Sequence, residues 1–197
     1  DEMARIYAKY TVDGELKISY QERLKSLKSL EKQLVNQSNT LGNLDEKITT
    51  DILTDVFKDS YYQTAYAIDK GIETSVDFAL LRPEVVKAAV FTPVEEKMFS
   101  SRIWDNKKQL VARVKRDVEQ ALIQGKSVEK LAREIKKDFG VSAMESSRLI
   151  RTETARVQSA ASDEIYQQSK VVKKVMWDAS LDSDVCDECS SLDGKMW

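Results

Sequence analysis

The two cysteines are the residues whose type and spacing point most directly to chemistry. Cys186 and Cys189 are separated by two residues and are the only cysteines of the 197-residue chain. A Cys-x-x-Cys pair can give zinc two thiolate ligands, whereas a closed structural zinc site normally has four. The pair therefore predicts half of a metal site, which would bind zinc if further ligands follow residue 197. A reduced structural pair is an equal alternative. A redox-active pair is disfavoured, because Asp184, Asp187 and Glu188 oppose thiolate formation.

Histidine is absent from the sequence. This removes the commonest general base and the commonest nitrogen ligand for zinc. No nucleophile with a nearby base stands out in its place, so we predict no catalytic residues and no enzymatic activity. Two closely spaced cysteines cannot form the disulfide framework of a small secreted protein, which favours a reducing compartment. The longest apolar runs fall well short of the roughly 20 residues of a membrane-spanning helix, so no membrane partner is predicted.

The formal net charge of −2 hides a basic middle segment. Residues 100–160 carry 14 basic and 8 acidic side chains, between two segments that are each acidic. Such an excess can face phosphates, although a solvated helical surface with mixed charges explains it equally well. The candidate contacts to nucleic acid or to a partner protein are Arg102, Lys107, Lys108, Arg113, Lys115, Arg116, Arg148, Arg151 and Arg156.

An Arg-Thr-Glu string lies in the same segment. On a helix Arg151 and Glu153 are two residues apart and point to different sides, which makes them a poor catalytic dyad. Glu153 and Arg156, three residues apart, can pair. We therefore favour an intramolecular polar network over a contact with DNA or a partner protein for this string.

The elements that position these residues are predicted to be mainly helices. The chain is 42% hydrophobic with six glycines and two prolines, which disfavours turn-rich β architectures. Apolar periodicity predicts amphipathic helices over 21–36, from Asp45 to Gly71, through Val90, and from about residue 107 to Gly125. Two more are expected over 128–139 and 142–169, because Gly140 is a typical helix end and Ser142 with Glu145 forms a capping box. Around Asp13-Gly14 we favour a simple turn over a hairpin.

Two further features divide the chain. Thr92-Pro93-Val94-Glu95 is typical of a helix start, with a hydroxyl N-cap, proline at the first position and glutamate three residues on. We place a boundary there, between an N-terminal helical region over 1–92 and a compact helical domain over 93–197. Val171 to Trp177 favours a strand, and the Asp- and Ser-rich stretch after it favours a loop. The fold prediction is a mainly α, multi-helix bundle-like domain with a small C-terminal β element and a Cys-bearing loop, within a longer polypeptide.

Three segments, taken in order, resemble one known family. They are Phe99 to Trp104, Arg148 to Arg156, and the stretch from Trp177 through Cys186 and Cys189 to Lys195. This combination is similar to the Mu protein F-like minor head proteins of tailed phages over about residues 93–197.

The resemblance implies a minor capsid protein with a role in head morphogenesis and DNA ejection. Such a protein is made in the host cytoplasm and incorporated inside the capsid of the virion, with the phage portal protein, scaffold or major capsid protein, and non-specific DNA as partners. Family members usually carry further Cys or His residues after the Asp-Gly-Lys turn, whereas this sequence stops at Trp197. Two other functions remain open: a delivery module for a toxin whose enzymatic domain lies beyond residue 197, and a zinc-dependent nucleic-acid-binding module.

Overall fold

The computed structural model describes residues 5, 8–12, 15–16, 19–71, 78–124, 126, 128–180, 182 and 185–196. Its helices are α1 (Tyr20–Gly71), α2 (Pro83–Val90), α3 (Phe99–Gln124), α4 (Val128–Gln168) and α5 (Asp187–Leu192). The strands β1 (Thr11–Val12) and β2 (Glu15–Leu16) pair antiparallel. The prediction of a mainly helical fold is confirmed. The preference for a simple turn near residues 13–14 is wrong, because the chain on either side of them pairs as a hairpin.

The three long helices α1, α3 and α4 pack side by side. Leu30, in the first half of α1, lies in one apolar cluster with Leu122 of α3 and Leu131 of α4. Tyr61, in the second half of α1, lies in another cluster with the first turn of α3 and with Ile165 near the end of α4. Helix α1 therefore runs antiparallel to α3 and parallel to α4.

The two apolar clusters lie at opposite ends of this bundle. We call the cluster that contains Tyr61 the first cluster and the cluster that contains Leu30 the second. The first cluster also takes in α2, and its buried members are Leu53, Phe57, Tyr61, Ala65, Val86, Val90, Phe99, Ile103, Val157, Ala161 and Ile165. The second cluster is built mainly on α3, and its buried members are Leu30, Leu110, Val114, Val118, Ala121, Leu122 and Leu131. The first cluster draws on residues before and after residue 92, while the division into 1–92 and 93–197 stays a prediction.

A layer of polar side chains, buried except for the half-buried Asp45, lies between the two clusters. We define this polar layer as Asp45, Thr49, Asn106, Lys107 and Ser142. Asn106 donates from Nδ2 to the Ser142 carbonyl at 3.0 Å and accepts at Oδ1 from the Ser142 hydroxyl at 3.0 Å. Lys107, only 4% exposed, lies 2.6 Å from a carboxylate oxygen of Asp45. Because each partner satisfies the other inside the bundle, the layer fixes the axial position of α1 and α4 against α3.

The polar layer explains two errors in the predicted helices. Asp45 and Ser142 were expected to start new helices, but both lie inside continuous ones, α1 and α4. Their side chains bond to α3, so they do not cap a helix end. Gly140 sits in the middle of α4, where a helix interior tolerates it at a cost of about 1 kcal/mol relative to alanine. The predicted cap at Ser127 and helix end at Gly125 lie outside the described residues.

The predicted helix start at Thr92 is also wrong. The segment between α2 and α3 forms a tight turn in which Val94 and Lys97 exchange two backbone hydrogen bonds of 3.0 Å. Glu95 and Glu96 have φ of 50° and 64°, in the left-handed region that non-glycine residues seldom adopt. Thr92 donates its hydroxyl back to the Ala88 carbonyl at 2.8 Å, so it closes α2 and does not cap α3.

The packing of α4 follows only part of its apolar pattern. The predicted helices over 128–139 and 142–169 are one helix, and its Met144 and Ala155 are exposed. Ile165 is fully buried, and Leu149 is half-buried against the first cluster. Helix α4 packs on α1 and α3. The predicted strand over 171–177 is wrong as well, since among the described residues this stretch has one isolated bridge, between Met176 and Met196.

Candidate functional site

The predicted contact residues of α3 are all engaged with carboxylates. Arg102, Lys107, Lys108, Arg113, Lys115 and Arg116 each lie within 4.0 Å of an acidic side chain. The pairs are Arg102 with Glu95 at 3.7 Å, Lys107 with Asp45 at 2.6 Å, Lys108 with Asp105 at 4.0 Å, Arg113 with Asp138 and Glu145 at 3.8 Å each, Lys115 with Glu31 at 2.8 Å, and Arg116 with Asp117 at 3.8 Å. Most of the positive charge of α3 is therefore balanced locally.

Three of these residues hold the bundle together. Lys107 does not lie on the surface, as a contact to DNA requires, because it is buried in the polar layer. Arg102 donates to the Val94 carbonyl at 2.8 Å and so ties the tight turn to α3. Arg113 lies between α3 and α4 with Nε and Nη2 buried and without hydrogen-bond partners in the described part of the chain. Its role is to offset the charge of the carboxylates on α4.

Asp117 of α3 faces the acidic side chains of α4 near Arg113. Burial raises the pKa of Asp117, and a hydrogen bond to Asp138 and the charges of Asp138 and Glu134 raise it further. Lys126 binds Glu134 with contacts of 3.0 and 3.1 Å. The α3–α4 interface therefore carries a compact cluster of acids balanced by Arg113 and Lys126.

The predicted pairing of Glu153 with Arg156 is confirmed. Arg156 donates from Nε to Glu153 at 2.8 Å, and Glu153 is 1% exposed. The two terminal nitrogens of Arg156 donate to the carbonyls of Ala89 and Val90, at 2.8 and 3.1 Å. These carbonyls belong to the last turn of α2, where a cation is favoured by the helix dipole. Arg156 therefore fastens α2 onto α4 and faces inward, which does not fit its predicted role as a surface contact.

Arg148 and Arg151 are the two predicted contacts that lie exposed on α4. Arg148 borders an open groove between α3 and α4, about 290 Å³ in volume, together with Arg102, Asp105 and Glu145. The sequence did not single out Arg133, Lys136 and Lys137, which are exposed on the same helix. The signal that would have found them is their spacing with Arg148 and Arg151 along one face.

Cys186 is the N-cap of the short helix α5 and Cys189 lies in its first turn, within a segment that backbone hydrogen bonds close. The Trp177 amide donates to the Lys195 carbonyl at 2.9 Å, and the Gly194 amide donates to the Trp177 carbonyl at 2.8 Å. Asp193 accepts from the Ala179 amide at 2.9 Å. Gly194 has φ of 72°, which favours glycine at this turn. The Asp-Gly-Lys turn thus anchors one end of the loop against Trp177 and presents the two cysteines between them.

The two thiols differ in their environment. The Cys189 amide donates to Sγ of Cys186 at 3.3 Å, and this backbone hydrogen bond lowers the pKa of the Cys186 thiol. The hydrogen bond between the thiols raises the pKa of Cys189. No cluster of three or more potential metal ligands occurs among the described residues. Cys186 and Cys189 can supply two thiolates to zinc, and the complete zinc site stays a prediction.

These features define a helical module that ends in a short cysteine loop. The family described as Phage Mu protein F like protein matches residues 112–197. This match confirms, over these residues, the resemblance to the Mu protein F-like family that the sequence predicted. The match contains the Arg-Thr-Glu string and the cysteine loop but begins after the segment Phe99 to Trp104.

One curated relative shares a larger part of the sequence. The NAD(+)–arginine ADP-ribosyltransferase EFV of Enterococcus faecalis (strain ATCC 700802 / V583) is 27% identical over 138 residues, or 68% of this chain. The matched region spans only 28% of that relative's length. No solved structure matches the chain significantly. Within the described residues, no helix is long and apolar enough to cross a membrane.

Proposed function

We propose that this chain is a structural protein of a tailed-phage head, incorporated during head assembly through contact with the portal protein. The observation that carries the proposal is the Mu protein F-like match over residues 112–197, which covers α4 and the cysteine loop. In this proposal the protein belongs to the inside of the virion, is made in the host cytoplasm, and accompanies the DNA during ejection.

The architecture supports a bridging role. Helix α1 has 52 residues and is about 78 Å long at 1.5 Å per residue. It is held along its length by α3 and α4, through the two apolar clusters and the polar layer between them. A helix braced in this way transmits the position of one end to the other, as a link between the portal and the inner capsid requires.

Purified heads test this proposal. Heads assembled with the tagged full chain should contain it after sedimentation, and the portal protein should retain it when the two are produced together without the major capsid protein. The control is a chain with Val157→Asp, which places a charge in the first cluster. It tests whether retention in heads and by the portal protein requires the folded bundle. Heads and portal that both lack the tagged chain would contradict the proposal.

A delivery module of a toxin is the second candidate. The observation that favours it is the match to an NAD(+)–arginine ADP-ribosyltransferase, of which this chain spans 28%. In this case the enzymatic activity lies in sequence beyond the matched region. The test incubates this chain, and separately the full gene product, with NAD+ and an arginine-containing acceptor. Transfer by the full product alone favours the delivery module. Transfer by residues 1–197, abolished by one substitution within them, would contradict the non-enzymatic role proposed here.

The zinc-dependent nucleic-acid-binding module is the third candidate, and it rests on Cys186 and Cys189. It requires metal in the longer gene product, with DNA binding that is lost on chelation. Metal analysis of the longer product, with Cys186→Ser as the control, separates it from the head-protein proposal, in which the portal contact persists without metal.

A further inference from the structure

One face of α4 carries exposed cations that are balanced by no carboxylate of the described residues. Arg133, Lys136, Lys137, Arg148 and Arg151 are exposed and form no ion pair with the described residues. We call these five residues the outer basic face. They contrast with the cations of α3, each of which lies within 4.0 Å of an acidic side chain.

The helical period gathers these side chains along one line. At 100° per residue, Arg133, Lys137, Arg148 and Arg151 fall within an arc of about 60°, and Lys136 lies beside it. From Arg133 to Arg151 the line is about 27 Å long at 1.5 Å per residue. Arg133 and Lys137, four residues apart, are about 6 Å apart along the axis.

The acidic residues of the same span lie on the neighbouring arc of α4, next to α3. Glu134 pairs with Lys126 in the connection between the two helices, and Asp138 and Glu145 each lie 3.8 Å from Arg113 of α3. The exposed residues between the cations are small or uncharged, including Gly140 and Met144. The outer basic face therefore has cations at both ends and an uncharged gap between Lys137 and Arg148, on a chain whose net charge is −2.

We propose that the outer basic face binds the sugar-phosphate backbone of duplex DNA without sequence preference. Duplex DNA carries one negative charge per about 1.7 Å of its axis, so a line of about 27 Å spans many phosphates in any register. Contacts of these cations to phosphate alone carry no sequence information. The inference rests on the proposed head function, since it assigns the contact with the packaged genome to α4 and takes it away from α3.

The test compares two variants that lose the same charge. The first replaces Arg133, Lys136, Lys137, Arg148 and Arg151 by Gln. The control replaces five exposed cations elsewhere by Gln, namely Lys28, Lys32, Lys58, Lys108 and Arg116. Fluorescence anisotropy with two unrelated DNA duplexes is measured over a series of salt concentrations, and circular dichroism checks that both variants keep their helix content.

The wild-type chain and the control should bind both duplexes alike, with affinity that falls steeply as salt rises. The outer-face variant should lose about 0.9 units of the log–log salt slope for each phosphate contact removed, or about 4.5 if all five residues contact phosphate. Met144→Lys adds a cation in the gap between Lys137 and Arg148, so it should steepen the slope by up to about 0.9.

Several results would overturn the inference. They are no salt-dependent DNA binding by the wild-type chain, the same slope in the outer-face variant as in the wild type, or an equal loss in the control. Incorporation into heads is measured in parallel, because it tests the proposed function separately. If the wild-type chain binds no DNA and the outer-face variant is no longer incorporated into heads, the face contacts a protein partner. That result would also overturn the inference. Loss of DNA binding with intact head incorporation supports both proposals.

Discussion

Two glycines inside long helices should respond in opposite ways to replacement by alanine. Gly42 in α1 faces the indole of Trp104, and a Cβ built there would lie 2.6 Å from Cζ3 and 2.8 Å from Cη2 of the ring. At Gly140 in α4, no atom lies within 4 Å of the same added carbon. We expect Gly140→Ala to stabilise the protein and Gly42→Ala to destabilise it.

The expected magnitudes follow from helix propensity and packing. Alanine is favoured over glycine in a helix interior by about 1 kcal/mol, which Gly140→Ala should add to the free energy of unfolding. Gly42→Ala gains the same term but forces the indole aside, and overpacking of this kind costs about 1–3 kcal/mol. Trp104 cannot simply rotate away, because its Nε1 donates to Glu46 at 2.9 Å. The propensity term cancels between the two variants, so their difference of about 1–3 kcal/mol measures the clash itself.

Urea unfolding followed by circular dichroism gives both free energies of unfolding. A decrease in stability for Gly140→Ala would refute the continuous helix α4, because alanine is disfavoured where a glycine ends a helix in the left-handed conformation. Equal effects of the two substitutions would refute the contact between Gly42 and Trp104.

Three further predictions concern charged and thiol groups. Asp45→Asn should lower the free energy of unfolding by about 3–5 kcal/mol in urea unfolding, because it leaves the buried ammonium of Lys107 without its partner. Lys107→Met should cost less, because the carboxylate that it leaves behind is 27% exposed. The raised pKa of Asp117 means that the folded state holds its proton more tightly, so its contribution to stability is present below the unfolded pKa and is lost as pH rises through the folded pKa. Asp117→Asn should flatten that decline in pH-dependent unfolding, and an unchanged curve would contradict it. Iodoacetamide should modify Cys186 before Cys189, as peptide mass mapping would show, because the lowered pKa of Cys186 gives more thiolate.

The sequence predicted the helical class and most apolar faces, but not the number of long helices. In the predicted helix from Asp45 to Gly71, Leu53, Phe57 and Tyr61 of the apolar stripe are fully buried, whereas Ile48 and Ile52 of the same stripe are exposed. Polar residues at core positions interrupt that periodicity, and the interruption resembles a helix boundary. Asp45 is typical of a helix start by residue type alone, whereas its actual partner, Lys107, lies 62 residues away and is brought to it by the packing of α1 on α3.

Local pairing was predictable where the partners share a helix. Glu153 and Arg156 are three residues apart, and helix geometry alone brings them together. The carbonyls of Ala89 and Val90 that complete this network come from another helix, so no pattern around residue 156 indicates them. The loop over 176–196 was predictable in its turn chemistry, through Asp193 and Gly194, but not in the single bridge that replaces a strand.

The basic excess of residues 100–160 shows most clearly what a count of charges leaves out. Helices α3 and α4 both contribute to the excess, and the sequence cannot say which cations meet a carboxylate. Packing turns the acidic side of α4 toward α3, so Glu134, Asp138 and Glu145 offset cations at that interface. The same rotation leaves Arg133, Lys137, Arg148 and Arg151 exposed on the neighbouring arc of α4, without an ion pair among the described residues. Which cations stay unpaired therefore depends on how α4 is rotated against α3. A replacement that turned acidic residues outward would remove the basic face without changing the net charge, which is why composition alone cannot locate a phosphate-binding surface on this chain.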